Sequence, residues 1–155
     1  MITIQPAALN LATAVEPILR SLPQWFGIDD ATHHYIQVAG AHPTLLAHES
    51  ERGDPPIGFL TIWQHSAAAA EVYVMAVMPD YHRRGVGRAL LTAAERYLRA
   101  TGVRFLQVKT LSEKHPDVGY QKTRAFYDAM GFWLLEEFPD LWGAHNPCWQ
   151  LIKAL

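Results

Sequence analysis

The order of apolar and polar positions divides this chain into short strands and amphipathic helices. Apolar runs bounded by turn residues predict strands at residues 2–4, 44–48, 57–64, 71–77, 103–109, 132–136 and 148–152. Apolar positions recurring every three or four residues predict helices at 10–22, 30–38, 86–101 and 123–130. The turn-rich segment 50–56 joins the second and third strands into a hairpin.

This order of elements indicates an α+β fold. A run of antiparallel strands is followed by alternating helices and strands, which predicts a mixed, mostly antiparallel central sheet of about seven strands flanked by about four helices. The chain has 155 residues, half of them hydrophobic, and that length suits a single domain spanning residues 1–155.

Charge and cysteine content exclude several classes of protein. The formal net charge of -2 argues against a nucleic-acid partner. Cys148 is the single cysteine, so no internal disulfide can form. No apolar run approaches the roughly 20 residues that span a bilayer, and the first residues lack the basic region of a signal peptide. We therefore expect a cytoplasmic protein with no membrane association.

The segment VMPDYHRRGVGRALL, residues 77–91, carries the clearest chemical signal. It leaves an apolar strand through a proline and enters a helix at Gly85 and Gly87. Glycines at a helix start let an anion approach the unpaired backbone N–H groups, where the helix dipole is positive. Three arginines surround these glycines, namely Arg83, Arg84 and Arg88. This composition favours a diphosphate over a carboxylate.

Other chemical signatures do not fit the sequence. A Walker loop requires Gly-Lys-Ser/Thr, and a dinucleotide fingerprint requires a third glycine where Leu90 stands. No G-x-S-x-G elbow supports a serine hydrolase. The eight histidines form no four-ligand zinc pattern, so we expect no metal.

Two segments resemble the GNAT superfamily of N-acetyltransferases. Val77-Met78-Pro79-Asp80-Tyr81 followed by Gly85-Val86-Gly87 is similar to its pyrophosphate-binding signature, and TRAFYDAMGF, residues 123–132, looks like its second signature. His82 departs from the Gln or Arg of the family, and Tyr120 stands where an asparagine is often found. The matched segments cover residues 71–133, about two-fifths of the chain.

The resemblance implies that the protein binds acetyl-CoA as a co-substrate. In this family the strand before the loop splays from its neighbour and pairs with the pantetheine arm. The positions implied for the coenzyme are Met75, Ala76, Val77, His82, Arg83, Arg84, Gly85, Val86, Gly87, Arg88, Tyr120 and Tyr127.

Three residues are candidates for catalysis. Tyr127 resembles the family's general acid, which would protonate or stabilise the departing thiolate. The backbone N–H of Val77 is the candidate oxyanion donor. Glu71 matches the glutamate base of histone-type members, and strand alternation predicts that its side chain shares one face with those of Tyr73, Met75 and Val77. The alternatives are that Tyr127 is a core residue and Glu71 an ordinary solvated strand end.

Two long connections, 111–120 and 139–147, are the candidates for acceptor specificity. Aromatic side chains that could wall a pocket are Trp25, Phe26, Trp142 and Trp149, and acids that could hold a cationic amine are Glu136, Glu137 and Asp140. Ordinary loop packing and solvated acids remain the alternative.

The sequence therefore predicts an acetyl-CoA-dependent N-acetyltransferase, as a monomer or homodimer. We expect direct transfer to a primary amine of a small molecule in a ternary complex, because no cysteine lies in the matched segments. The alternatives are a protein or peptide acetyltransferase, acting on an N-terminus or lysine, and a non-catalytic coenzyme A-binding regulatory module.

Overall fold

A seven-stranded sheet runs through the computed structural model, which describes residues 1–50 and 54–155. The strands are β1 Thr3–Ala8, β2 Thr44–His48, β3 Gly58–Gln64, β4 Ala69–Val77, β5 Phe105–Leu111, β6 Trp133–Phe138 and β7 Cys148–Ala154. Their order across the sheet is β1-β2-β3-β4-β5-β7-β6. Only β4 and β5 pair in parallel among the described strands, which confirms the predicted mixed, mostly antiparallel α+β fold.

Four helices cover the two faces of this sheet. They are α1 Ala12–Arg20, α2 Asp29–Ala41, α3 Val86–Ala100 and α4 Val118–Ala129, and a short 3₁₀ turn, Pro79–Tyr81, precedes α3. Helices α1 and α2 enclose one apolar core with β2, β3 and β4, whereas α3 and α4 enclose the other. In the described ranges, no helix is long and apolar enough to cross a bilayer.

Most differences from the predicted boundaries have a local cause. Helix α4 begins at Val118, earlier than predicted, because the Asp117 carboxylate accepts hydrogen bonds from the N–H groups of Gly119 and Tyr120. Strand β5 starts late because Val103 N–H still bonds Leu98 C=O to close α3. Of the predicted turn at 50–56, residues 51–53 lie outside the described part of the chain.

A bulge at Tyr73 overturns the prediction that four side chains of β4 share one face. Thr61 of β3 pairs with Val74 and Ile62 pairs with Val72, so Tyr73 is left as an extra residue. The alternation therefore reverses after it. Met75 and Val77 pack against the core under α3, whereas Tyr73 packs against the core under α1 and α2.

Because of the bulge, the Glu71 side chain lies on the opposite face of β4 from the Val77 side chain at the end of the strand. Ala70 and Val72 pack in the core under α3. By alternation the Glu71 side chain between them points to the α1 and α2 face, as Tyr73 does. Glu71 and Val77 were predicted on one face and lie on opposite ones.

The sheet opens between β4 and β5. Their parallel ladder has four rungs, from Ala69 with Phe105 to Val72 with Val108. Beyond the last rung β4 continues to Val77 beside β3, and β5 continues to Leu111 beside β7. The two strands therefore diverge into a V-shaped opening that reaches from one helical layer to the other.

Candidate active site

The backbone of β4 presents hydrogen-bonding groups to the opening. Met78 N–H donates to Ile57 C=O at 2.8 Å, so Met78 is directed at β3. Because successive residues of a strand direct their N–H and C=O groups to opposite neighbours, those of Val77 and Met75 are directed towards β5. No rung of β5 reaches these residues in the described ladder, so this edge, apart from the Val77 carbonyl that His82 engages, is available to an extended ligand.

The predicted anion loop lies where β4 ends and α3 begins. Gly85 is the N-cap of α3 with φ of +83°, a left-handed conformation that strains other residues. A Cβ built on Gly85 would meet nothing within 4 Å, so the space in front of the helix start is open. Gly87 lies in the first turn, where a Cβ would be 3.4 Å from the ring of Phe126 in α4. The first N–H groups of α3 are therefore accessible beside α4.

The three arginines of the loop have different surroundings. The Arg84 guanidinium is 3.0 Å from the Glu49 carboxylate and lies 4.8 Å above the Tyr81 ring centroid. The Tyr81 hydroxyl also donates to Glu49, and these two donors, Tyr81 first, lower the pKa of Glu49. Arg83, with φ of +61°, and Arg88 have exposed side chains at the rim. Arg84 fixes the loop to the end of β2, while the side chains of Arg83 and Arg88 extend into solvent beside the start of α3.

His82 turns its side chain back towards the opening. Its Nε2 donates to the Val77 carbonyl at 2.7 Å, and its ring stands edge-on to Trp25 with centroids 5.9 Å apart. A Cβ on Gly119 would lie 2.9 Å from Trp25 Cζ2, so only glycine lets α4 approach this indole so closely. Trp25 thereby connects the α1–α2 segment with the loop after β4 and the start of α4.

Glu71 is a buried carboxylate with several donors. Its Oε1 accepts from His65 at 2.7 Å, Lys109 at 3.1 Å and Gln107 at 3.2 Å. Its Oε2 accepts from Lys109 at 3.3 Å. The solvated strand end considered from the sequence does not describe this residue, since Glu71 is 3% exposed. Oε2 therefore has fewer donors than Oε1 and can accept a further hydrogen bond.

Tyr127 lies on the opposite face of the opening from Glu71. Its ring packs edge-on against Phe126 and Phe132, with centroids 5.1 and 5.3 Å away, inside the core under α3. Burial raises the pKa of its phenol, so the hydroxyl stays protonated at neutral pH. Tyr120 lies seven residues, about two turns, before Tyr127 on α4, and its partial burial raises its pKa as well, with Asp117 adding to the effect.

Thr110 of β5 was not singled out from the sequence, yet it lies beside the opening. In the described chain its Oγ1 is the buried side-chain oxygen that lacks a hydrogen-bond partner. Thr110 lies two residues beyond the last rung, at Val108, and by alternation shares the face of Leu106 and Val108 under α3. A polar ligand threading the opening would satisfy this hydroxyl. A β-branched threonine in a strand is too common a pattern to reveal it.

The candidate specificity residues do not form one group. Trp25 and Phe26 pack against the core under α1 and α2, whereas Trp149 packs against the core under α3. Glu137 is held by Lys114, Ser112 and the Trp149 indole N–H, and the first two contacts lower the pKa of Glu137 most. A surface cavity of about 550 Å³ lies beside the outer side of α4, lined by residues such as Glu113, His115, Arg124 and Asp128. It is separate from the opening between β4 and β5.

Comparison with known proteins identifies the class to which this fold and site belong. Residues 14–132 match the acetyltransferase (GNAT) family, and the chain belongs to that family. This confirms the resemblance seen in the sequence, and it agrees with the prediction of an acetyltransferase that uses acetyl-CoA.

Individual relatives differ in what they act on. The chain is 32% identical over 106 residues to a mycothiol acetyltransferase of Actinosynnema mirum, covering 68% of this chain and 31% of that protein. The chain thus spans under a third of the length of this curated relative.

Solved structures share the fold at low sequence identity. The ribosomal-protein-S18-alanine N-acetyltransferase of Escherichia coli is 19% identical with a TM-score of 0.75, covering 99% of this chain and 94% of that one. An aminoglycoside 6'-N-acetyltransferase complexed with coenzyme A is 15% identical with a TM-score of 0.74, covering 98% of this chain and 96% of that one.

Proposed function

We propose that this domain transfers the acetyl group of acetyl-CoA to a primary amine of a small molecule, directly and within a ternary complex. The observation that carries the proposal is the end of the β4–β5 ladder at Val72 and Val108, beside an accessible helix start. The coenzyme diphosphate would bind the first N–H groups of α3, with Arg83 and Arg88 adding charge. The pantetheine arm would pair with the free edge of β4 and pass Thr110.

Opposite faces of the opening would supply the two proton transfers. Glu71 Oε2, on the α1 and α2 face, takes a proton from the ammonium group through water, and the amine then attacks the thioester carbonyl. The backbone N–H of Val77 stabilises the oxyanion. The C–N bond forms and the C–S bond breaks, the nitrogen gives up its second proton to water, and the thiolate takes a proton from Tyr127 on the other face, which solvent replaces. The products are the amide, coenzyme A and one proton.

Direct transfer is supported by the burial and the raised pKa of the single cysteine. Cys148 is buried in β7, and burial raises the pKa of its thiol to about 11. A thiol in that environment is a poor nucleophile at neutral pH, because the thiolate is the reactive form. An acetyl-cysteine intermediate is therefore not expected.

The identity of the acceptor has two alternatives among the relatives. The neighbours named for aminoglycosides favour a small amine, whereas the neighbour named for a ribosomal-protein alanine keeps a peptide N-terminus as the alternative. A coenzyme A-binding module without turnover is the third possibility. The buried Glu71 with its donors and the protonated Tyr127 argue against that module, because they provide both proton transfers.

Thermal unfolding with and without coenzyme A tests the first step. A ligand at 100 times its dissociation constant adds about 2.7 kcal/mol of stability, a measurable rise in melting temperature. Changing Gly85 and Gly87 together to valine should abolish the rise in a variant that remains folded by circular dichroism. No rise in the parent protein would overturn the proposal.

Thiol release from acetyl-CoA with a set of amines tests the second step. Release with small amines is the expected result. Release only with peptides would establish the peptide alternative, and coenzyme binding without release from any amine would establish the module.

A further inference from the structure

Half-buried aromatic rings lie on the α1 and α2 face of the opening, the face to which the Glu71 side chain points. They are Trp25 before α2, Tyr35 within α2, Tyr73 at the bulge of β4, and Tyr120 in the first turn of α4; we call them the aromatic wall. Each is partly exposed, so each offers some ring surface to a ligand. The Tyr73 ring is supported from behind by Trp63, with centroids 5.0 Å apart.

The wall residues converge although they come from separate elements. The Tyr35 and Tyr73 rings meet at 6.0 Å and 65°, and Phe26 holds Tyr35 from its other side at 5.7 Å. Burial raises the pKa of Tyr35 most, and the neighbouring Tyr73, Tyr120 and Glu71 raise it further. The Tyr35 ring itself lies against the Tyr73 ring of β4.

Trp25 closes the wall at the end where the coenzyme loop lies. Its indole touches Gly119 of α4 and the ring of His82, which itself bonds the Val77 carbonyl. An acceptor on this side would therefore reach the thioester between Trp25 and the phenols.

The carboxylates near the wall are already engaged. Glu71 is bound to the Lys109 ammonium, and Asp117 accepts from the N–H groups at the start of α4. Lys109 also brings a positive charge to the floor of this region. A ligand with several positive charges would meet Lys109 without finding an unpaired acid beside the phenols in the described residues. A ligand with one amine would find aromatic faces suited to an apolar body and to one cation.

We propose that the acceptor is a primary monoamine carried on an aromatic or apolar body, and that the aromatic wall binds that body while Glu71 faces the amine. This inference rests on the proposed acetyl transfer and names its substrate class. Polycationic aminosugars and peptide N-termini are the classes it excludes.

The test compares probes that differ in one property at a time. With acetyl-CoA, kcat/KM from thiol release is measured for 2-phenylethylamine, n-butylamine, 1,4-diaminobutane, kanamycin and a peptide with an N-terminal alanine. We expect 2-phenylethylamine to exceed butylamine by roughly threefold to tenfold, the size of one aromatic contact. The kcat/KM for butylamine should exceed that for 1,4-diaminobutane, because Lys109 repels the second ammonium group of the diamine.

Two substitutions at one position assign the preference to the wall. Tyr73→Leu removes the ring but keeps an apolar side chain against Trp63, and it should reduce the advantage of 2-phenylethylamine over butylamine to less than twofold. Tyr73→Phe retains the ring and should preserve that advantage. The KM for acetyl-CoA should change less than twofold in both variants, which a general loss of structure would not allow.

Several outcomes would overturn the inference. Faster turnover of kanamycin, diaminobutane or the peptide than of the monoamines would do so while leaving acetyl transfer intact. An aromatic preference that survives Tyr73→Leu would also contradict it. If no amine is acetylated although coenzyme A binds, the proposed function fails separately. Calorimetric titration of 2-phenylethylamine into the coenzyme A complex then tests whether the aromatic wall binds the amine. Absence of heat would overturn the inference, whereas saturable binding that Tyr73→Leu weakens would support it.

Discussion

The properties of single residues at this site depend on what surrounds their buried side chains more than on their position in the sequence. Tyr127 and Glu71 are both nearly inaccessible, but their surroundings differ. Aromatic rings surround Tyr127 and keep its phenol neutral, whereas cationic and amide donors surround Glu71. The proposed chemistry requires a neutral acid, which Tyr127 would provide, and a hydrogen-bonded carboxylate, which Glu71 would provide.

Replacement of Tyr127 by phenylalanine should lower turnover without weakening coenzyme binding. The ring would still fill its place between Phe126 and Phe132, so only the proton donor is lost. General acids contribute about a hundredfold or more, and we expect kcat to fall by that order while the KM for acetyl-CoA changes less than twofold. Tyr97→Phe, on the exposed side of α3, is the matched control. An unchanged kcat in Tyr127→Phe would leave Tyr127 as a core residue only.

Elements of this fold depend on small features at their ends. Helix α3 starts at a left-handed glycine, α4 starts at an aspartate cap, and β4 changes face at a one-residue bulge. The glycine loop was evident in the sequence because its glycines, proline and arginines lie close together in one contiguous segment. The bulge was not, because Tyr73 fits an uninterrupted strand equally well and its extra position follows only from pairing with β3.

The same contrast explains which site residues were found. Val77, Gly85 and Gly87 belong to a contiguous segment whose spacing carries the signal. The partners of Glu71 come from β5 and from the turn after β3, and the aromatic wall comes from α2, β4 and α4. Their convergence depends on sheet order and on the reversed alternation, neither of which local periodicity reports.

Alanine at each loop glycine should separate conformational strain from ligand access. Gly85→Ala forces a side chain into φ of +83° and should cost about 1 kcal/mol of unfolding free energy. Gly87→Ala adds a good helix former in ordinary contact with Phe126, so stability should hold or rise slightly. Its methyl group would nevertheless obstruct the N–H groups, and coenzyme A affinity should fall.

Gly102→Ala is the control for the strained position, with φ of +85° and open space at the far end of α3. Urea unfolding and calorimetric titration with coenzyme A measure both quantities. Unaltered coenzyme affinity in Gly87→Ala would contradict the placement of the diphosphate at the start of α3.

A buried ion pair joins the last strand to both helices of its layer. Lys153 of β7 donates to Glu95 of α3 at 2.6 Å and to the Met130 carbonyl at the end of α4 at 2.8 Å. Lys153→Met would leave Glu95 buried with only Arg99, 3.4 Å away and exposed, so we expect a loss of about 2–4 kcal/mol in urea unfolding. Arg99→Met should cost less than about 1 kcal/mol. Equal losses in the two variants would argue against a buried pair.

At the scale of the whole molecule, the folded protein should be more stable at neutral than at alkaline pH, because its buried phenols and thiol hold their protons more tightly than in the unfolded chain. Burial is the leading cause that raises the pKa of Tyr35, Tyr73, Tyr120, Tyr127 and Cys148. These groups hold their protons more tightly when the chain is folded. Their stabilising contribution is complete below their ordinary pKa values and is lost as pH rises towards the raised ones.

The unfolding free energy should therefore fall above about pH 9, the lower end of the ordinary thiol and phenol pKa values. Each group contributes at most about 1.4 kcal/mol per pH unit, so Tyr127→Phe should reduce the slope by up to that amount. Urea unfolding from pH 7 to the onset of alkaline denaturation measures it. A flat profile, or the same slope in Tyr127→Phe, would mean that the phenol titrates alike in both states.

The position of β7 between β5 and β6 has a consequence for how the chain is made. Strand β6 leaves the ribosome before β7, yet β7 is its hydrogen-bonded neighbour in the described sheet. Strands β1 to β4 pair in chain order, so that half can assemble during translation. Strand β5 can then add to β4, but β6 must wait for residues 148–154. Until then the backbone N–H and C=O groups of β6 lack their strand partner, and a nascent chain stalled before residue 148 would present this unpaired edge to chaperones.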